Sequence, residues 1–174
     1  EDGTILGAQV VGQHGVDKRI DVIATAMSAG MTADRLADLE LAYAPPFSSA
    51  KDPVNLLGYM AGNLLNGDCD VVDPHEIDSL IEQGWVLLDV RSQEEHAAGA
   101  ITGSLNVPID SLRDHLDVLG KGPVVVYCAV GQRGHTAAAL LRELGIEARN
   151  LDGGYLTWSA FVRAQRGPTD QPRP

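Results

Sequence analysis

Basic residues are scarce in this chain: 13 lysines and arginines face 24 aspartates and glutamates, for a net charge of −11. The deficit runs the whole length, −4 over residues 1–66 and −7 over 67–174. A nucleic-acid binder needs a basic face to meet phosphates, so that class is excluded. Membrane-surface binding is excluded on the same ground, because the leaflet it would meet is itself negative. Long apolar runs are also missing, and none approaches the roughly 20 residues that cross a bilayer. Cysteine is limited to Cys69 and Cys128. Two are too few for a disulfide framework, and the usage predicts a reducing, cytoplasmic setting. The five histidines (His14, His75, His96, His115 and His135) have no ligand spacing, so no metal site is expected. The chain starts Glu1-Asp2 rather than with methionine, which reads as a fragment or a processed product.

What is present divides into two segments with a seam near Asn66-Gly67-Asp68. The first, 1–66, opens with a strand-like run, Ile5–Val11. A helix follows from about Val16, with Ile20, Ile23 and Met27 spaced by three and four, and ends near Gly30. Thr32 is placed to cap a short helix carrying Leu36 and Leu39. Two prolines and two serines keep Tyr43–Ser49 from being helical. Asp52-Pro53 then starts a clear helix, with stripe Val54, Leu57, Ala61 and Leu64. One strand and three helices do not close a core easily, so this segment reads as part of a larger domain.

The second segment, 67–162, reads as a complete α/β unit with a parallel sheet flanked by helices. Asp73-Pro74-His75-Glu76 is a capping box, followed by the stripe Ile77, Leu80 and Ile81 and a stop at Gly84. Trp85–Val90 is almost continuously apolar, the pattern of a strand buried on both faces. Ser92 and Glu95 form a second capping box, with Arg91 and Glu95 expected to pair. A helix is expected around Leu112 and Leu116. Strand Pro123–Tyr127, a tight loop, and a helix with Ala137, Leu140, Leu141 and Leu144 come next. After Gly145, Ile146–Leu151 returns as a parallel strand. Residues 163–174 read as a polar, disordered tail.

The chemistry lies in the loop Cys128-Ala129-Val130-Gly131-Gln132-Arg133-Gly134. Cys128 ends a buried strand just before a helix, the edge where ligands bind in open α/β sheets. Glycines and small neighbours let successive N–H groups point inward, and the helix adds its positive end. Both favour a thiolate, so Cys128 is expected to ionise more easily than an ordinary thiol and to act as a nucleophile. Arg133 opposes the helix dipole there, which points to an anion, thiolate or substrate, beside it. Cys69, flanked by Asp68 and Asp70, lacks such a setting and reads as incidental. His135 reads as a solvated helix residue.

Cys-Ala-Val-Gly-Gln-Arg-Gly after Val-Val-Val-Tyr resembles the active-site loop of a rhodanese domain. Asp89-Val90-Arg91 with Glu95 and Gly99 is similar to that family's earlier motif, and Asp152-Gly153-Gly154-Tyr155 to Trp158 to its closing one. The resemblance covers about residues 72–162. It implies that Cys128 is catalytic, carrying sulfane sulfur as a persulfide to a thiol, with Ala129, Val130, Gly131, Gln132, Arg133 and Gly134 binding the substrate. Donors implied are coenzyme A persulfide, polysulfide or thiosulfate. Ala100 and Thr102 depart from the family's usual His and Pro in a scaffold turn. Cys128 to Arg133 is six residues, one fewer than in the family's phosphatases and arsenate reductases, which favours sulfur over a tetrahedral oxyanion.

Ile5–Gln9, Asp17–Asp21 and Tyr43–Ser48 through Asp52–Asn55 resemble the dimerisation domain of pyridine nucleotide-disulfide oxidoreductases, in the coenzyme A-disulfide reductase branch. This implies a partial α+β dimerisation domain preceding the rhodanese-like one, and a homodimeric parent using FAD, NADH and coenzyme A. Tyr43 matches a tyrosine that reaches the partner subunit's reductase site in that family. The flavin and nicotinamide domains are expected upstream, and no Gly-x-Gly-x-x-Gly fingerprint occurs in this chain. No cofactor is therefore expected here. The rival expectation is a non-catalytic dimerisation or docking module with a relic loop.

Overall fold

The computed structural model describes residues 2–46 and 48–166. Its contacts divide the chain into two units, one ending at Asp68 and the other starting at Cys69. In the first, helix α1 (Val16–Ser28) is followed by a 3-10 turn at Asp34–Asp38 and helix α2 (Pro53–Leu65). Helix α2 begins as expected: the Asp52 carboxylate accepts the Val54 N–H at 3.1 Å, with Pro53 in the first turn. Arg19 donates to both Asp52 oxygens at 3.2 Å, tying α1 to the start of α2.

The buried face of α2 differs from the expected stripe. Leu57 and Leu64 are exposed, whereas Val54, Asn55 and Gly58 are buried. Backbone chemistry decides this. A Cβ at Gly58 would lie 2.7 Å from the Leu36 carbonyl carbon, so only glycine lets α2 approach the 3-10 turn. Asn55 Nδ2 donates to the carbonyls of Leu36 (3.1 Å) and Leu39 (2.8 Å), acceptors that no leucine could satisfy. Met27 is exposed as well; α1 buries Ile23 as expected, with Ala26 in place of Met27.

Two further expectations fail in this unit. Ile5–Val11 forms no strand: Leu6 is 93% and Val11 88% exposed, and no neighbouring strand is available among the described residues. Among the described residues of this unit, the single strand-type pairing is an antiparallel bridge between Thr4 and Thr32. Thr32 does not cap; the turn's N-cap is Ala33, which makes no side-chain bond. Tyr43–Pro46, Ser48 and Ser49 are non-helical, as expected, and Phe47 lies outside the described residues.

The second unit contains five strands: β1 (Val71–Val72), β2 (Val86–Asp89), β3 (Leu105–Asn106), β4 (Val124–Tyr127) and β5 (Ala148–Leu151). They form one parallel sheet in the order β1-β5-β4-β2-β3. Strand β4 lies at the centre, pairing Val86 to Asp89 of β2 with Val124 to Tyr127, and Ala148 to Asn150 of β5 with Val124 to Val126. Side chains alternate along it. Val124, Val126 and Cys128 pack with Leu88, Val90, Ala137 and Leu141, while Val125 and Tyr127 pack with Val72, Ile77, Leu80 and Leu87. Both faces are thus covered, which is why β4 is apolar throughout.

Among the described residues four α-helices accompany the sheet: α3 (Ile77–Glu82), α4 (Gln93–Ala97), α5 (Gln132–Glu143) and α6 (Gly154–Gln165). Both capping boxes form. Ile81 and Leu144 are exposed rather than core, Leu144 because it already caps α5. Around Leu112 and Leu116 two 3-10 turns, Ile109–Asp114 and Leu116–Leu119, replace the expected helix. Helix α6 runs through Arg163, Ala164 and Gln165, shortening the expected tail, whose residues 167–174 lie outside the described residues. Among the described residues no helix is long and apolar enough to cross a membrane.

Candidate active site

Strand β4 delivers Cys128 to the carboxyl edge of the sheet, where the thiol is 1% exposed. The chain then curls through Ala129 and Val130 to Gly131, whose φ of +100° belongs to glycine. This curl returns the Gly131 N–H to Cys128, and it donates to Sγ at 3.2 Å. The carbonyls of the curl are turned elsewhere. Those of Cys128 and Ala129 accept the Tyr155 and Leu156 N–H groups at 2.8 and 3.0 Å, from the first turn of α6. With these oxygens drawn toward α6, the N–H side of the loop is left toward the sulfur. Gly154 permits the contact, since a Cβ there would lie 2.5 Å from the Cys128 carbonyl oxygen and 2.9 Å from the Ala129 carbonyl carbon.

The anion beside Arg133 is Glu95. Arg133 Nη1 and Nη2 donate to the two Glu95 oxygens at 2.7 Å each, a bidentate pair. Glu95 also accepts the Ser92 N–H at 3.0 Å, closing the capping box of α4. Arg133 first, then the Ser92 N–H, holds the Glu95 carboxyl down to about 2. Arg133 is in turn driven well above its ordinary range, chiefly by Glu95, with a smaller contribution from Cys128.

The expected Arg91–Glu95 pair is therefore not formed. Arg91 instead donates through Nε and Nη2 to Asp89 at 2.9 and 2.7 Å and through Nη2 to the Gly99 carbonyl at 2.7 Å. A two-residue separation suits this better than the helix-to-helix reach Glu95 needs for Arg133. The guanidinium lies 4.3 Å from the Tyr155 ring centroid and 5.5 Å from that of Tyr127. His96 Nδ1 lies 2.9 Å from Asp89 Oδ2. Burial pushes Asp89 upward, but hydrogen bonds from Arg91 and His96 outweigh it and lower the carboxyl. Burial raises the Tyr127 phenol to about 12, and its oxygen accepts the Ile101 N–H at 3.2 Å.

This combination of loop, closing helix turn and buried Asp89–Arg91 pair coincides with a family match. The rhodanese-like domain family model matches residues 73–161. The chain belongs to the rhodanese-like domain family. Residues 1–53 match the pyridine nucleotide-disulphide oxidoreductase dimerisation domain. A coenzyme A disulfide reductase of Staphylococcus haemolyticus is 53% identical over 60 residues, 34% of this chain and 14% of the relative. Two solved structures are similar over most of the chain. Reduced Bacillus anthracis CoADR-RHD has a TM-score of 0.85 and 47% identity, covering 88% of this chain and 28% of that one. An NAD-dependent persulfide reductase from A. fulgidus has a TM-score of 0.74 and 40% identity, covering 84% and 26%. The chain thus spans less than a third of each of these relatives.

Within the rhodanese-like domain, Cys128 to Gly134 form one continuous turn into α5. Ala129 and Gly131 are half-buried, Gly134 is buried, and Val130, 60% exposed, marks the open side with Gln132. Tyr43 belongs to the other unit, where it is exposed and lines a polar cleft with Ser48, Lys51, Asp52 and Asn55. Cys69 is buried, and His135 is half-buried. The ligand atoms of Asp73, His75 and Glu76 lie within 4.8 Å of one another, but Asp73 and Glu76 are already engaged in the capping box.

Sequence reasoning missed two partners. Glu95 was identified as a cap, and the unexplained cation Arg133 was the signal that a carboxylate had to face it. Asn150, on β5, donates from Nδ2 to the Gly131 carbonyl at 3.2 Å. In Ile146–Leu151 it stands with two other polar residues, Glu147 and Arg149, so nothing in the sequence singled it out.

Proposed function

We propose that Cys128 takes up a sulfane sulfur as a persulfide and passes it to an acceptor thiol. The Cys128 thiolate attacks the outer sulfur of a persulfide, polysulfide or thiosulfate. The donor's sulfur–sulfur bond breaks, and the remaining thiolate or sulfite departs with the electron pair. An acceptor thiolate then attacks the outer sulfur of the Cys128 persulfide, and Cys128 leaves again as a thiolate. Ala129, Val130, Gly131, Gln132, Arg133 and Gly134 form the cradle for that outer sulfur. The observation that carries this reading is the Gly131 N–H on Cys128 Sγ, held by a loop whose carbonyls are drawn off by α6.

In a longer protein, segment 1–66 serves dimerisation and segment 67–162 the sulfur chemistry of an FAD- and NADH-dependent reductase of coenzyme A disulfide, persulfide or polysulfide. Supporting this are the dimerisation-domain match and the similarity to a coenzyme A disulfide reductase and an NAD-dependent persulfide reductase. The acceptor there is coenzyme A or a flavin-side cysteine, Tyr43 contributes to the reductase site, and the setting is the reducing cytoplasm.

Intact mass after incubation with thiosulfate or coenzyme A persulfide tests the sulfur step. Wild type is expected to gain a reducible adduct of about 32 Da, one sulfur, and Cys128→Ser none. No adduct on folded wild type from either donor would leave a docking module with an inert loop.

A further inference from the structure

Gly131 is the hinge of the sulfur cradle, and as a glycine at φ +100° it has no side chain to hold its own orientation. Something else must fix it. Its N–H faces Cys128 Sγ, and its carbonyl accepts two hydrogen bonds on the opposite side. One is the His135 N–H of α5 at 2.8 Å, an ordinary helical bond. The other is Asn150 Nδ2 at 3.2 Å, from a residue 19 positions away on β5.

Asn150 is 7% exposed, a polar amide in the return strand beneath the loop. Only half of it is satisfied, for Oδ1 is buried without a hydrogen-bond partner among the described residues. Such an atom is costly to keep, so the amide is retained for what its nitrogen does. The orientation is fixed by chemistry, because a flipped amide would set an oxygen against the Gly131 carbonyl oxygen. Room for the amide comes from Gly134. That glycine lies inside α5 with ordinary helical backbone, where alanine would be the better helix former. A Cβ at Gly134 would collide with Asn150 Oδ1 and come within 3.5 Å of the Cys128 nitrogen. The two residues are therefore one device: Gly134 is empty so that Asn150 can reach Gly131.

We propose that Asn150 is the positioning residue of the cradle. By holding the Gly131 carbonyl it fixes the peptide plane between Gly131 and Gln132, and with it the direction of the Gln132 N–H at the start of α5. The preceding plane, which carries the Gly131 N–H to the sulfur of Cys128, pivots on the Gly131 Cα, so anchoring its neighbour narrows the range open to it. This rests on the reading that Cys128 carries the sulfur.

The test is single-turnover persulfide formation over a range of thiosulfate concentrations, with thermal melting alongside. Wild type, Asn150→Ala, Gly134→Ala and the double variant are compared. Asn150→Ala is expected to lower the rate at saturating donor on the order of five- to tenfold, with the half-saturating concentration unchanged. Gly134→Ala displaces the amide and is expected to lower it similarly. The double variant is expected to be no slower than either single one, because both remove the same contact. Asn150→Ala forming persulfide at the wild-type rate, whatever its melting temperature, overturns the proposal. So does a double variant whose loss is the product of the two single losses. A wild type that forms no persulfide at all removes the sulfur reading itself, a different failure.

Discussion

Arg133 and Glu95 meet through two hydrogen bonds of 2.7 Å across 38 residues of sequence, and the pair joins the start of α5 to the first turn of α4. Glu95→Gln isolates its charge, because glutamine can still accept the Ser92 N–H of the capping box. The folded carboxyl is held at about 2 against an ordinary 4.5. Its contribution is therefore complete above about 4.5 and disappears as pH falls through that value toward about 2. With both side chains over a third exposed, wild type should exceed the variant by only about 0.5–1 kcal/mol at pH 7. Urea unfolding from pH 7 down to about pH 2 should show that gap constant at first and closing below pH 4.5. A gap that persists at pH 2 would contradict the assignment.

Gly154→Ala should cost more. At φ +61° the new Cβ is strained, and it also meets the carbonyl groups of Cys128 and Ala129. A loss of about 1–3 kcal/mol is expected in chemical denaturation, together with slower persulfide formation. A neutral result would mean that α6 does not hold the loop.

Asn55→Ala should destabilise the chain by about 1–3 kcal/mol, since the Leu36 and Leu39 carbonyls lose their buried donor. Leu57→Ser, on the exposed face of the same helix, should stay within about 0.5 kcal/mol of wild type. The same unfolding assay ranks the two, and the reverse order would restore the leucine stripe as the packed face.

The sheet was legible in the sequence wherever one strand is apolar on both faces or one residue pair caps a helix. Val124–Tyr127, Val86–Asp89 and both capping boxes announce themselves locally, and the Cys128 loop follows from the strand and helix around it. What escaped depends on partners distant in the chain. Leu57 and Asn55, two residues apart, lie on nearly opposite faces of α2, and helical spacing of apolar residues alone favours the leucine. The carbonyls that reverse this belong to a turn 16 to 19 residues earlier. Ile5–Val11 has the apolar, β-branched content of a strand, but strand formation requires a neighbour, and composition does not supply one. The family resemblance suggests Glu95 as the partner of Arg91. In the fold, Asp89 takes Arg91 and leaves Glu95 to an arginine from another helix.

Cys128 shares the face of β4 that carries Val124 and Val126, whereas Val125 and Tyr127 occupy the other. The location of the thiol is therefore a matter of odd and even. Deleting one valine from Val124–Val126 would leave the strand just as apolar and its helices just as amphipathic. Yet it would carry the sulfur through the sheet to the side of Ile77 and Leu80, away from α5. Substitution within this strand can be forgiving so long as volume is kept, but its length can change only in steps of two.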